Sequence, residues 1–266
     1  LMKSAKTRRQ EGAFITEGIK MVKETASYGE VTALYLSEEW GKVHGIPQLE
    51  EESRQADEKR RETLISLGII GKEYRNGIYV VSDRVFAQIS DTVTPQGILA
   101  VVKMPQYDMK ELLTKEKFRL VLLENLQDPG NLGTIVRTAE AAGMDGVILS
   151  SGCVDILSPK VVRSTMGAIF RVPFFYCEDF VQQLKELKNC GTQIFAAHLE
   201  GKAYYHEVEY PKKSAVIIGN ESNGITEETK DEATTLVKIP MCGNVESLNA
   251  SVAAGLFMYE IYRKQL

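Results

Sequence analysis

Three short stretches of the sequence carry more polar side chains and glycines than a plain connector needs. The first is Glu124-Asn125-Leu126-Gln127-Asp128-Pro129-Gly130-Asn131-Leu132-Gly133, which runs into a helical pattern carrying Arg137. Gly130 and Gly133 allow close backbone approach, and Asn131 suits the first turn of a helix. Arg137 falls roughly opposite the apolar stripe of Ile135, Ala139 and Ala142. The second is Ile218-Gly219-Asn220-Glu221-Ser222-Asn223-Gly224, directly after an apolar strand. It brings backbone amides and one carboxylate to a sheet edge. Glu221 would repel phosphate and no P-loop lysine follows, so this is not a nucleotide-phosphate loop. The third is Ile239 to Ser251, where Ser247 suits the N-cap of the last helix and Asn249 lies off its apolar stripe. Each stretch alone also reads as a capped helix or a tight turn with polar residues in water. The chemistry they suggest together is a ligand site built from amides, one carboxylate and one guanidinium.

The elements that must position these residues follow from periodicity. Phe118–Leu126, Asp145–Ser151, Val172–Cys177, Gln193–Leu199, Ser214–Asn220 and Thr235–Pro240 are apolar runs that read as strands. Helical patterns alternate with them at 134–142, 158–169, 179–191 and 247–264. Near-continuous apolar strands alternating with helices predict a parallel sheet covered on both faces. In such a sheet ligands bind beyond the carboxyl ends of the strands, which is where the three loops fall. Along the last helix, Leu248, Val252, Gly255, Leu256 and Tyr259 form one stripe, suited to a core or to a partner.

Before residue 118 the rhythm differs. A helix is expected over 17–26, strands over 31–37, 77–82 and 98–103, and a short helix over 82–92. The charged segment 49–62 reads as a solvated helix whose charges nearly cancel. Residues 104–117 contain Pro105 and many charges. The domains are therefore placed at 1–105 and 118–266, with a linker at 106–117. The fold class is α/β, a parallel-sheet domain behind a smaller α/β domain.

Composition excludes some classes. Of 266 residues, 32 are Lys or Arg and 36 are Asp or Glu, a net charge of −4. That balance does not advertise a nucleic-acid binder, though local patches matter more than the mean. Cys153, Cys177, Cys190 and Cys242 form no CxxC pair, and with His44, His198 and His206 they form no zinc spacing. Neither a metal nor a disulfide is expected. No apolar run reaches the ~18 residues needed to span a bilayer, and the basic N-terminus lacks the apolar stretch of a signal peptide. A cytoplasmic, non-membrane protein is expected. No GxGxxG follows a strand, which argues against a dinucleotide-binding oxidoreductase.

NLGTIVRTAEAAGMDGVIL, VIIGNESNGI and IPMCGNVESLNASVAAGLFMYE resemble, in order and spacing, the three motifs of the SpoU/TrmH family. These are RNA 2′-O-ribose methyltransferases of the SPOUT class. FITEGIKMVKETA and ISDTVTPQGILAVV resemble the family's RNA-recognition domain. The resemblance implies a deep trefoil knot in the C-terminal domain, a homodimer formed partly through the last helix, and S-adenosylmethionine (SAM) as cofactor. It implies SAM contacts from Leu199, Gly219, Ile239, Met241, Ser247 and Leu248. It implies a catalytic set of Asn131, Arg137, Glu221 and Asn249. In that set Arg137 would hold an RNA phosphate or a developing alkoxide, and Glu221 would orient Arg137 or a dimer-related loop. Lys6, Arg8, Arg9 and Lys20, extended by Lys160 and Arg163, are candidate phosphate contacts. The RNA substrate is expected to be rRNA, most readily of the large subunit, rather than tRNA. A tRNA enzyme and a catalytically silent RNA-binding homologue are the alternatives.

Overall fold

A computed structural model describes residues 1–48 and 53–266. From the N-terminus the elements are α1 (Ala5–Glu11), β1 (Ala13–Glu17), α2 (Ile19–Tyr28), β2 (Val31–Ser37), α3 (Glu38–Val43), α4 (Arg54–Ser66), β3 (Gly77–Val81), α5 (Asp83–Ile89) and β4 (Ile98–Lys103). There follow α6 (Met109–Thr114), β5 (Phe118–Leu123), α7 (Pro129–Ala141), β6 (Gly146–Ser150), α8 (Pro159–Ser164), β7 (Phe174–Cys177), α9 (Phe180–Asn189), β8 (Gln193–Ala197), β9 (Ala203–Tyr204), β10 (Lys213–Ile218), α10 (Glu227–Glu232), β11 (Thr235–Lys238) and α11 (Ala250–Lys264). Two compact units result: Leu1–Pro105 with Leu157–Phe170, and Gln106–Ile156 with Arg171–Leu266.

The first unit is built on a four-stranded sheet of order β1-β4-β2-β3. Its helices α1, α3, α4 and α5 begin on Ser4, Ser37, Ser53 and Ser82, each hydroxyl accepting a backbone N–H three residues on. Such a cap stabilises a helix by about 1 kcal/mol. β1 was not expected. All five of its residues are buried, so it shows no alternation to read. Its last residue, Glu17, stood inside the expected helix, which begins instead at Ile19. The Glu17 carboxylate accepts from Ser90 Oγ at 2.6 Å, Thr92 Oγ1 at 2.7 Å and Asp91 N at 3.2 Å. Residues 49–52 of the charged segment lie outside the described residues. The rest forms α4, which is not wholly solvated: Ala56, Arg60 and Leu64 are buried. Arg60 is buried because it donates to the carbonyls of Pro47 and Gln48.

The stretch 157–170 packs with this unit although it lies between strands of the other. α8 packs against β1, and the Phe170 ring sits 5.9 Å from that of Phe14. One helix was expected over 158–169. It stops at Ser164 because Met166 and Gly167 adopt positive φ, and a 3-10 turn follows at Ala168–Phe170.

The second unit carries a seven-stranded sheet of order β7-β6-β5-β10-β8-β11-β9, parallel at every pairing. Leu120, Leu122, Ile148, Ala215 and Ile217 pack under α9 through Leu184 and Leu187. Leu112 of α6 joins this cluster, so residues expected as a linker contribute to the core. α7 and α11 pack together, with α11 also against β10 and β5. α11 buries Ala254, Phe257, Met258 and Ile261. The stripe read from the sequence is on another face: Val252 and Tyr259 are half-exposed. The strands β5, β10, β8 and β11 lie side by side and point the same way, so the chain leaves all four at one edge.

Candidate active site

The loop after β10 is closed on itself. Asn220 and Gly224 exchange backbone hydrogen bonds at 2.8 and 2.9 Å. Asn220 Oδ1 accepts from Ser222 N and Asn223 N, while its Nδ2 donates to Asn125 O at 2.8 Å in the loop after β5. A Cβ on Gly219 would overlap the Gly224 carbonyl, so only glycine permits this turn. Gly201 meets the same limit, since a Cβ there would lie 2.7 Å from the carbonyl carbon of Val237.

The loop after β5 feeds α7, whose N-cap is Asp128, with Pro129 in the first turn. The helix therefore starts five residues before the expected Thr134, and Asn131 is inside its first turn. Glu221 reaches across to this helix start. Its Oε1 accepts from Asp128 N at 3.0 Å and Asn131 Nδ2 at 3.0 Å, and its Oε2 accepts from Gln127 N at 3.1 Å. Asn131 Oδ1 in turn accepts from Asn249 Nδ2 at 2.9 Å. Asn249, not Ser247, caps α11, its Oδ1 accepting from Ser251 N and Val252 N. The three loops are thus tied by one chain, Glu221–Asn131–Asn249. Partial burial raises the Glu221 carboxyl pKa, but the hydrogen bonds from Asn131, Gln127 and Asp128 together hold it below the usual carboxylate value. The positive end of α7 favours the same charge.

Arg137 does not join this chain. It is exposed on α7 and has no hydrogen-bond or ion-pair partner among the described residues. Glu221 therefore does not orient Arg137 within one chain; its oxygens are taken by the start of the helix. Glu124, just after β5, opens the first polar stretch but is given no role of its own by the sequence. It is buried and accepts from Thr226 N, Thr226 Oγ1 and Thr229 Oγ1 at 2.7–2.9 Å, pinning the exit of the 219–226 turn to the start of α10. A carboxylate ending an apolar run was the one signal available.

Beside the chain lies a cavity of about 590 Å³. Leu199, Gly219, Ile239, Met241, Ser247 and Leu248 all line it, as does Glu221. Leu199, Ile239, Met241 and Leu248 supply apolar wall, while Glu200, Glu221 and Glu246 supply negative charge. The volume suits a ligand of a few hundred daltons. Hydrogen bonding to Lys230 lowers the Glu200 carboxyl pKa, so this group too is ionised. Glu200 is paired with Lys230 and Lys238 also lines the cavity, so its polar lining is of mixed charge, while its apolar wall suits a ring.

The cations proposed for RNA all lie in the first unit. Lys6, Arg9, Lys20 and Lys160 are exposed. Arg8 is 4% exposed and donates to the carbonyls of Leu1 and Met2, so it is not presented to a phosphate. Arg163 pairs with Asp91 at 3.0 Å. All four cysteines are free thiols. Among the described residues no cluster of His, Cys, Asp and Glu could hold a metal, and no helix is long and apolar enough to cross a membrane.

Comparison with known proteins gives this arrangement relatives. Residues 119–259 match the model of the SpoU rRNA Methylase family, and residues 1–100 that of the MRM3-like substrate binding domain. The 23S rRNA (guanosine(2553)-2′-O)-methyltransferase RlmP of Bacillus subtilis is 36% identical over 183 residues, 69% of this chain and 71% of that protein. The AdoMet-bound rRNA methyltransferase of Sinorhizobium meliloti superposes with a TM-score of 0.77 at 28% identity, covering 100% of this chain and 92% of the other. A TrmH-family chain from Porphyromonas gingivalis superposes with a TM-score of 0.79 at 28% identity, covering 99% and 94%.

Proposed function

The chain belongs to the SpoU rRNA methylase family, and from that premise we propose that it methylates a ribose 2′-hydroxyl of RNA with SAM as donor, large-subunit rRNA being favoured over tRNA. The observation that carries the reading is the hydrogen-bonded Glu221–Asn131–Asn249 chain at the rim of the cavity. The relative from Bacillus subtilis supports the 2′-O position and the large subunit. The match of residues 1–100 to a substrate binding domain supports structured RNA as the target.

The cavity fits SAM by its chemistry. Leu199, Ile239, Met241 and Leu248 would enclose the adenine, and Gly219 and Ser247 would offer backbone and hydroxyl contacts. Glu221 and Glu246 would complement the positive charge. SAM supplies a methyl group on a sulfonium, which needs no metal. The protein's task is to align the hydroxyl, worth up to ~7–11 kcal/mol in ideal cases, and to ease loss of its proton. Glu221, through Asn131, holds Asn249 and the two loops in register. Arg137 stays protonated and acts on charge, holding a phosphate or the developing oxyanion.

Two further parts belong to the same proposal. Val252, Tyr259, Tyr262 and Leu266 are exposed apolar side chains along α11 and its end, and they suit a homodimer face; a monomer in sedimentation equilibrium would overturn it. The chain around the cavity follows a trefoil path, and the enzyme works in the cytoplasm.

Primer extension at low nucleotide concentration on RNA from a deletion strain and its parent tests the whole reading. A ribose-methylation stop lost from large-subunit rRNA is the expected result. A stop lost only from tRNA would move the substrate, and an unchanged map of all rRNA and tRNA would overturn the function. In the purified enzyme, Arg137→Ala is expected to keep SAM binding and lose methylation; full methylation would remove Arg137 from the mechanism.

A further inference from the structure

The sheet of the first unit is covered unevenly on one face. Where β3 ends, Ile15, Phe86 and Leu99 form a closed cluster with Val81 and Tyr35 packed against it. Two residues before Val81, on the same face, Tyr79 is 50% exposed. Its ring stacks on Tyr35 with centroids 5.1 Å apart and planes 25° apart. The two tyrosines are cross-strand partners of the parallel β2–β3 pair. Tyr79 also lies across Gly77, where a Cβ would come within 2.5 Å of its hydroxyl and ring edge. The absence of a side chain at Gly77 lets the ring lie down along the strand. β3 is the edge strand, so the ring is approachable from the side as well as from above.

Cations lie close to this ring in sequence. The segment before β3 contains exposed Lys72 and Arg75, and Arg75 Nη1 donates to the carbonyls of Lys72 and Tyr74 at 2.6 and 3.0 Å. Arg61 of α4 donates to the carbonyls of Tyr74 and Asn76 at 2.9 and 3.2 Å, with its guanidinium 5.8 Å from the Tyr74 ring centroid. The Tyr74 hydroxyl donates to Gly77 O at 3.0 Å. Burial pushes that hydroxyl up to about 12, so it remains a donor and holds the start of β3 in place. The result is a supported aromatic floor with cations in the segment that leads into its strand, lying wholly within the substrate-binding match.

We propose that Tyr79, backed by Tyr35 and levelled by Gly77, is a stacking platform for one unpaired base of the RNA substrate, with Lys72 and Arg75 holding the adjoining phosphates. A single supported ring with exposed cations a few residues before it complements a nucleotide better than a protein, which would require a broader apolar patch. Unpaired bases are the part of RNA that aromatic side chains can stack upon. The platform rests on the RNA-methylase reading for its ligand class, but it involves none of the residues of the cavity.

The test uses the full chain and fluorescence anisotropy with two probes, a labelled 12-nucleotide single-stranded oligoadenylate and a 12-base-pair RNA duplex. Stacking of one base predicts that Tyr79→Ala and Tyr79→Leu weaken the single-stranded probe about 5- to 150-fold. Tyr79→Phe, which keeps the ring, stays within about 2-fold of the parent, and the duplex is little affected. Removing Lys72 and Arg75 together lowers the slope of log affinity against log salt by about 1.4 for two phosphates. Thermal melts of each variant separate a lost platform from a lost fold. Unchanged affinity of Tyr79→Ala for the oligoadenylate would overturn the proposal. So would a Tyr79→Ala variant whose main change is in self-association, since the occupant would then be protein. SAM titration of the same preparations keeps the two readings apart: no SAM binding would remove the methyltransferase reading, while the oligoadenylate result decides the platform.

Discussion

Two asparagines and a carboxylate, 90 and 118 residues apart along the chain, share one set of hydrogen bonds at the site. Each was visible in the sequence as a polar residue in a loop too rich for a connector. Their mutual contact was not, because separation of that order leaves no periodicity to read. Arg137 shows the converse: its exposure was legible from its place opposite the apolar stripe, but the partner assigned to it was spent elsewhere. Two substitutions test the network at this scale. Asn131 is 9% exposed, and Asn131→Ala removes two hydrogen bonds, the acceptor of the Asn249 amide and one of the two donors to Glu221 Oε1. A loss of about 1–3 kcal/mol in chemical unfolding is expected. The Glu221 carboxyl has a folded pKa below its unfolded one, so its contribution to stability is present above the unfolded value and is lost as pH falls through the folded value. The gap in melting temperature between the parent and Glu221→Gln is therefore expected to be constant from about pH 6 to 8 and to shrink below about pH 4.5. A gap as wide at pH 3 as at pH 7 would show that the charge contributes nothing.

Among the elements, the parallel strands were the most legible. β5, β6 and β10 are apolar on both faces because helices cover both, and that continuity marks them in the sequence. β1 is as buried as they are, but its last residue, Glu17, falls in the helical pattern of 17–26, and the four residues before it are too few to read as a strand alone. α6 was taken for linker because Pro105 and a run of charges precede and surround Leu112, whose burial depends on the distant Leu184 cluster. The caps were half-legible: a polar residue before α11 was expected, and Asn249 rather than Ser247 took the position. The turn after β10 carries the prediction at this scale. Gly219→Ala drives a methyl group into the Gly224 carbonyl, and the cheapest relief is to move the turn rather than the buried strand. SAM affinity is expected to fall by more than about 10-fold, equivalent to 1.4 kcal/mol, with little change in far-UV circular dichroism. Unaltered affinity would mean that the shape of this turn does not define the cavity.

At the scale of the molecule, the α/β class and the parallel sheet were readable in the sequence, and the division of the chain was not. Nothing in the composition of 157–170 says that it packs on β1 rather than on the strands that flank it, because burial of Phe14 by Phe170 is a tertiary choice between two apolar surfaces. A fragment of residues 1–105 lacks α8 and Phe170. It is expected to melt below the corresponding unit of the full chain and to bind a hydrophobic dye through the uncovered β1 face. A fragment as stable as that unit, with no dye binding, would show α8 to be dispensable. The same interruption has a consequence in time. The first unit acquires its last fourteen residues only after the ribosome has made the first two strands, β5 and β6, of its neighbour. The interval from residue 105 to residue 170 is 65 residues, roughly 3–13 s at about 5–20 residues per second. During that interval the β1 face is a nascent, uncovered apolar surface, and the part of the chain matched to a substrate binding domain cannot mature before its neighbour has begun to be made.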